Sequence, residues 1–180
     1  MPDTDERSVS TSETQSSDRP STPLCVGVVT VATDRTLEAD AAGEAIETTI
    51  EKAGHEVVMR EHVTADHDRV QSIVTRVIDR NDIDVIITAG ATSVEPDDVT
   101  IEAVEPLLET TLPAFNILFT TLAYEVVGTE VIAARTLAGL SAGVFVCCLP
   151  GTAGAARLGT EEIILPEART LLERADSRDP

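Results

Sequence analysis

The chain has 180 residues, 42% of them hydrophobic and only 2% aromatic, with 32 acidic side chains against 13 basic ones and a formal net charge of −19. A charge that negative opposes binding to nucleic acid or to anionic membrane, so neither is expected as a partner. Cys25, Cys147 and Cys148 sit inside apolar runs without metal-ligand spacing, as small hydrophobes do in a reducing cytosol.

Residues 1–22 are Ser, Thr, Asp, Glu and Pro with almost no apolar side chain, and are expected to form a solvated, disordered tail. Residues 23–176 then fit one domain, followed by a disordered end at 177–180. Leu24–Ala32 (LCVGVVTVA) is a short β-branched run and reads as a buried strand. A helix follows Asp40 and Gly43, with Ile46, Ile50 and Ala53 on one stripe and Gly54 at its end. Glu56–Val63 reads as a second strand. Val70, Ile73, Val74, Val77 and Ile78 fall at the spacing of an amphipathic helix. Ile83–Thr88 is the third strand. The β-α-β-α-β order predicts a three-layer α-β-α domain around a mostly parallel central sheet with right-handed crossovers.

The second half is more helical. Asp98–Glu109 reads as one helix and Phe115–Val127 as another. Val144–Leu149 (VFVCCL) is a further buried strand, stopped by Pro150-Gly151. Gly154–Ala175 reads as helical with an interruption at Pro166. The sequence offers no signal peptide and no 18-residue apolar span, so a cytoplasmic protein is expected.

In open α/β sheets ligands bind at the carboxyl ends of strands, where small residues let phosphate reach backbone N–H groups. The loop after the third strand, Ala89-Gly90-Ala91-Thr92-Ser93, runs on to Asp97 and Asp98 at the start of a helix. The loop after the last strand is Pro150-Gly151-Thr152. An anion can be held at such a helix start, with a magnesium ion on the nearby carboxylate. The competing reading is that Asp97 or Asp98 only caps its helix.

On these residues the chain resembles the molybdenum cofactor biosynthesis protein B family, related to molybdopterin adenylyltransferases. That family's Thr-Gly-Gly-Thr-Gly loop falls on Ala89–Ser93, and the Asp that follows falls on Asp98. Its acidic residue after the second strand matches Asp66, and the acidic residue before a Ser-Gly matches Asp40. The Glu-x-x-Gly-Thr turn is intact at Glu125–Thr129, followed by Arg135, and the Leu-Pro-Gly-Ser loop appears as Leu149–Thr152. The resemblance spans about Leu24 to Leu172.

The resemblance implies a molybdopterin-binding-domain-like fold, ATP and molybdopterin as ligands, Mg²⁺ as cofactor, and a homotrimer or homohexamer. The implied reaction is adenylylation of molybdopterin by ATP. Asp66 and Asp98 are then the catalytic, metal-binding pair. Gly90, Ala91, Thr92 and Ser93 cradle phosphate, and Pro150, Gly151 and Thr152 shape the nucleotide or pterin site.

The departures from the pattern are specific. Ala91 and Ser93 replace two loop glycines, Ile117 stands for a Glu, Thr120 for an Arg, and Gly154 for a basic residue. They support an alternative: a diverged paralogue without catalysis that binds pterin or nucleotide, or serves as an oligomeric scaffold. The acidic excess adds nothing to either reading. At multimolar salt the Debye length is about 3 Å, so surface carboxylates barely repel, and the composition is expected of a haloarchaeal protein.

Overall fold

The computed structural model describes residues 22–34 and 39–176. The expected tail, apart from Thr22, and the expected disordered C-terminus lie outside the described residues, as does Arg35 in the loop after the first strand.

Six strands form one sheet: β1 (Cys25–Val31), β2 (Glu56–Val63), β3 (Val85–Ala89), β4 (Thr110–Thr111), β5 (Leu137–Ser141) and β6 (Val144–Leu149), in the spatial order β2-β1-β3-β6-β5-β4. The first four in that order are parallel, and β5 and β4 are antiparallel additions at one edge. The sheet is therefore mixed, and its parallel part is the expected one. Period-2 alternation sends Phe145, Cys147 and Leu149 into one core layer and Val144, Val146 and Cys148 into the other. Helices α1 (Ala41–Lys52), α4 (Pro113–Val127), α5 (Ala153–Gly159) and α6 (Leu165–Asp176) contribute to the first layer. Helices α2 (His67–Ile78) and α3 (Thr100–Val104) contribute to the second.

The structure corrects the expected elements at four places. The helix expected over Asp98–Glu109 is a single turn, α3, followed by a 3₁₀ turn at Glu105–Leu107. Pro106 lacks the N–H that an α-helix needs there, and the chain leaves to pair Thr110–Thr111 with β5. Strand β5 had no expectation at all. It joins β6 through Ala142 and Gly143, both at positive φ (47° and 78°), the geometry of a two-residue hairpin turn. Ala-Gly hides a signal that Asn-Gly would have displayed.

The third correction is at Pro166, which does not interrupt the last helix. It sits in the first turn of α6, and the irregularity comes just before it, as a π-turn at Thr160–Ile164. The fourth concerns apolar length. Pro113–Ala133 (α4 and the 3₁₀ turn Gly128–Ala133) is long and apolar enough to cross a membrane by length and composition alone, although Phe115, Phe119 and Ala123 bury one stripe of it in the core.

Candidate functional site

Because β1, β3 and β6 run parallel, their carboxyl ends lie along one edge of the sheet. The loops after β3 and β6 touch there backbone to backbone. A Cβ on Gly90, which holds φ +106°, would meet the Val31 carbonyl oxygen at 2.2 Å, and one on Gly151 would meet the Gly90 Cα at 2.9 Å. Only glycine permits this crossing. Next in the chain, Ala91 also takes a positive φ of 51° although it carries a methyl group. That strain costs about 1 kcal/mol. It is held in place by Thr100, whose Oγ1 donates to Gly90 O (2.8 Å) and whose N–H donates to Ala91 O (2.9 Å).

Above the crossing opens a cavity of about 590 Å³. Ala91, Thr92, Ser93 and Asp98 line one wall, and Pro150, Gly151 and Thr152 another. Phe119, Ala123, Val126, Val127 and Val131, from α4 and the turn after it, make a third, apolar wall. The structure thus gathers the predicted site residues around one cavity except Asp66 and Gly90, and Gly90 instead packs against Gly151 where the two loops cross.

Asp66 is the N-cap of α2. Its Oδ1 accepts the Arg69 N–H at 3.0 Å, and it does not line the cavity. It stands after the edge strand β2, with β1 between that strand and β3. The expected metal pair of Asp66 and Asp98 is therefore not assembled in this cavity. Asp98 behaves differently from Asp66. Val99 is the N-cap of α3 and no side chain caps that helix, while the Asp98 Oδ2 turns back to accept the Glu95 N–H at 3.2 Å. Glu95 also lines the cavity. Burial, reinforced by the Glu95 carboxyl group, pushes the Asp98 carboxyl above its usual range. Hydrogen bonding to Asp98 draws Glu95 below its own.

Among the described residues, five carboxylates line the cavity, Glu95, Asp98, Glu130, Glu161 and Glu162, and Arg157 is the basic side chain that joins them. Ile117 and Thr120, where the resemblance led us to expect a Glu and an Arg, are not among the lining residues. Ile117 is 65% exposed on the outer side of α4. Gly154 does line the cavity, and a side chain there would meet nothing within 4 Å.

Asp40 has a structural role instead. It is buried as the N-cap of α1, accepting the Gly43 N–H (2.8 Å) and the Thr30 hydroxyl (2.5 Å), with Arg60 Nη2 at 3.3 Å. The close fit of Gly43 follows, since a Cβ there would lie 2.0 Å from Asp40 Oδ2.

Residues 25–170 match the family model described as "Probable molybdopterin binding domain". The chain is 36% identical over 141 residues to molybdenum cofactor biosynthesis protein B of Bacillus cereus, covering 78% of this chain and 83% of the relative. It belongs to the molybdenum cofactor biosynthesis protein B family.

The structural likeness agrees. A crystal structure of a molybdenum cofactor biosynthesis protein B superposes with a TM-score of 0.84 at 32% identity, covering 87% of this chain and 98% of the other. The tungsten cofactor synthesizing protein MoaB from Pyrococcus furiosus gives 0.76 at 30% identity, covering 85% and 97%. Within this family fold, sequence reasoning missed Glu95 and the apolar wall. Glu95 is part of a polar loop without periodicity. The stripe on α4 was legible as helical, but not which side of it faced a hollow.

Proposed function

We propose that this family member works in molybdenum cofactor biosynthesis in the cytosol, transferring AMP from Mg-ATP to the phosphate of molybdopterin. In that transfer a pterin phosphate oxygen bonds to the α-phosphorus of ATP, the bond to the bridging oxygen breaks, and pyrophosphate leaves. Such chemistry depends on placing two anions in line and neutralising charge as it shifts. The observation that carries the reading is the meeting of the β3 and β6 loops in one cavity beside an Asp98 that caps no helix.

The residues fit magnesium in a limited way. Among the described residues no group of three or more His, Cys, Asp or Glu side chains forms a metal site. Two adjacent hard carboxylates, Glu95 and Asp98, are suited to holding a dication between them, and Mg²⁺ normally takes its remaining ligands from water and substrate phosphate. When bound, the ion neutralises charge on the triphosphate. The chain's own part is positional. Ala91, Thr92 and Ser93 lie against the phosphates, Arg157 supplies a guanidinium for an anionic oxygen, and Pro150-Gly151-Thr152 bounds the space. The apolar wall excludes water from one side and suits a flat heterocycle. The exposed apolar side chains Ile117, Leu118 and Tyr124 of α4, which do not line the cavity, support assembly into a homotrimer or homohexamer.

One observation favours the second reading, a pterin- or nucleotide-binding protein without catalysis. Among the described residues, five carboxylates against one arginine line the cavity and oppose an unaccompanied anion. Calorimetry at high KCl with Mg-ATP and with molybdopterin, on wild type and Asp98→Asn, separates the two. For the transferase, both ligands bind to wild type, AMP is transferred, and Asp98→Asn abolishes Mg-ATP binding and transfer. Binding without transfer supports the second reading, and failure of both ligands to bind overturns the proposal.

A further inference from the structure

The loop that forms the first wall of the cavity is tied to the turn that forms the third. Ser93 Oγ donates to the Ala133 carbonyl oxygen at 3.0 Å, linking residues 40 apart in sequence. Arg135 completes the tie. One guanidinium nitrogen donates to Ser93 O (3.3 Å), and the other meets the Glu102 carboxylate (2.5 Å). Glu102 lies on α3, the same turn of helix whose Thr100 pins Gly90 and Ala91. The loop carbonyls at 90, 91 and 93 are thus all drawn towards α3 and Arg135. Arg135 and Glu102 are not lining residues of the cavity.

We propose that Arg135 is a positioning residue that sets the width of the cavity mouth, holding the Ala91–Ser93 loop against the Ala133–Ala134 turn with Glu102 as its anchor. A planar guanidinium suits this task because it donates in two directions at fixed geometry, which an ammonium cannot do. Glu102 fixes the orientation of that fork. Arg135 draws the Glu102 carboxyl below its usual range, in keeping with the same pairing. The use of Mg-ATP as a probe rests on the function proposed above, while the mechanical claim does not.

Hydrogen exchange tests the mechanical claim without any ligand. Two amides report the two walls: Thr100 N–H, bonded to Ala91 O, and Ala134 N–H, bonded to Val131 O. In Arg135→Gln both are expected to exchange on the order of tenfold faster, the effect of losing a charge-assisted hydrogen bond, while strand β1 keeps its protection. Arg135→Lys is expected to restore one wall and not both. Unchanged protection in Arg135→Gln, or a rise that spreads equally through β1, overturns the proposal.

Mg-ATP titrations then follow the same variants. Glu102→Gln is expected to weaken binding in the same direction as Arg135→Gln, and the double variant to bind no worse than Arg135→Gln alone. Fully additive losses would mean that Glu102 acts independently of Arg135, which counts against the anchor. If wild type takes no Mg-ATP, the nucleotide reading fails, and the exchange data still decide whether the two walls are tied.

Discussion

Asp66 and Asp98 are the same residue type in the same kind of place, each following a parallel strand and leading into a helix. Asp66 spends its carboxylate on the first turn of α2, as Asp40 does on α1. Asp98 leaves α3 uncapped and stays beside a second carboxylate at the cavity wall. The difference teaches that a strand-to-helix corner keeps chemistry in reserve only where its acid is excused from capping. The β3 corner can do this because Thr100, held in the buried layer, supplies the hydrogen bonds that fasten the loop.

The sharpest way to break that arrangement is at the crossing of the two loops. Gly90→Ala places a methyl group 2.2 Å from the Val31 carbonyl oxygen. We expect a loss of about 4 kcal/mol or failure to fold, read by denaturant unfolding. A loss below about 1 kcal/mol would mean that the β3 and β6 loops separate easily. The two acids give the next contrast. Asp66→Ala is expected to cost about 1 kcal/mol of stability through the lost cap. Asp98→Asn is expected to cost none and to remove ligand binding instead. Equal losses of stability would erase the distinction drawn here.

The smallest effect is a dependence on pH. Asp98 sits above its usual carboxyl range, so the folded protein keeps a proton that the unfolded chain has already released. The stability that this proton carries is present below pH about 3.8, the ordinary Asp value, and is lost as pH rises through the raised value. Measured against Asp98→Asn, wild type should therefore lose relative stability over that rise. Mg²⁺ should offset the loss if the dication binds the Asp98 carboxylate. A flat difference between the two proteins across pH 3 to 7 would show that folding does not raise the Asp98 carboxyl.

Much of the fold was legible beforehand for one physical reason: buried parallel strands and amphipathic helices write their environment into local periodicity. The run VFVCCL needed no tertiary information to read as a strand buried on both faces, and the spacing from Val70 to Ile78 needed none to read as α2. Strand β5 was not legible because its turn reaches positive φ through Ala142, a residue that carries no turn signal. The departures at Ala91 and Ser93 read as losses in one dimension. In three dimensions Ala91 keeps the left-handed backbone at a cost, and Ser93 gains a hydroxyl bond across to Ala133.

The amino-acid order alone determined the layering, the run of parallel strands and the loops that end them, because each depends on residues close in the chain. Tertiary structure alone decided which acids are free. Whether a carboxylate caps its own helix, closes a buried knot with Arg60, or faces another carboxylate across a cavity depends on groups tens of residues away. Hydrogen bonds are claimed by whichever donor arrives at the right distance, and local sequence does not encode that arrival.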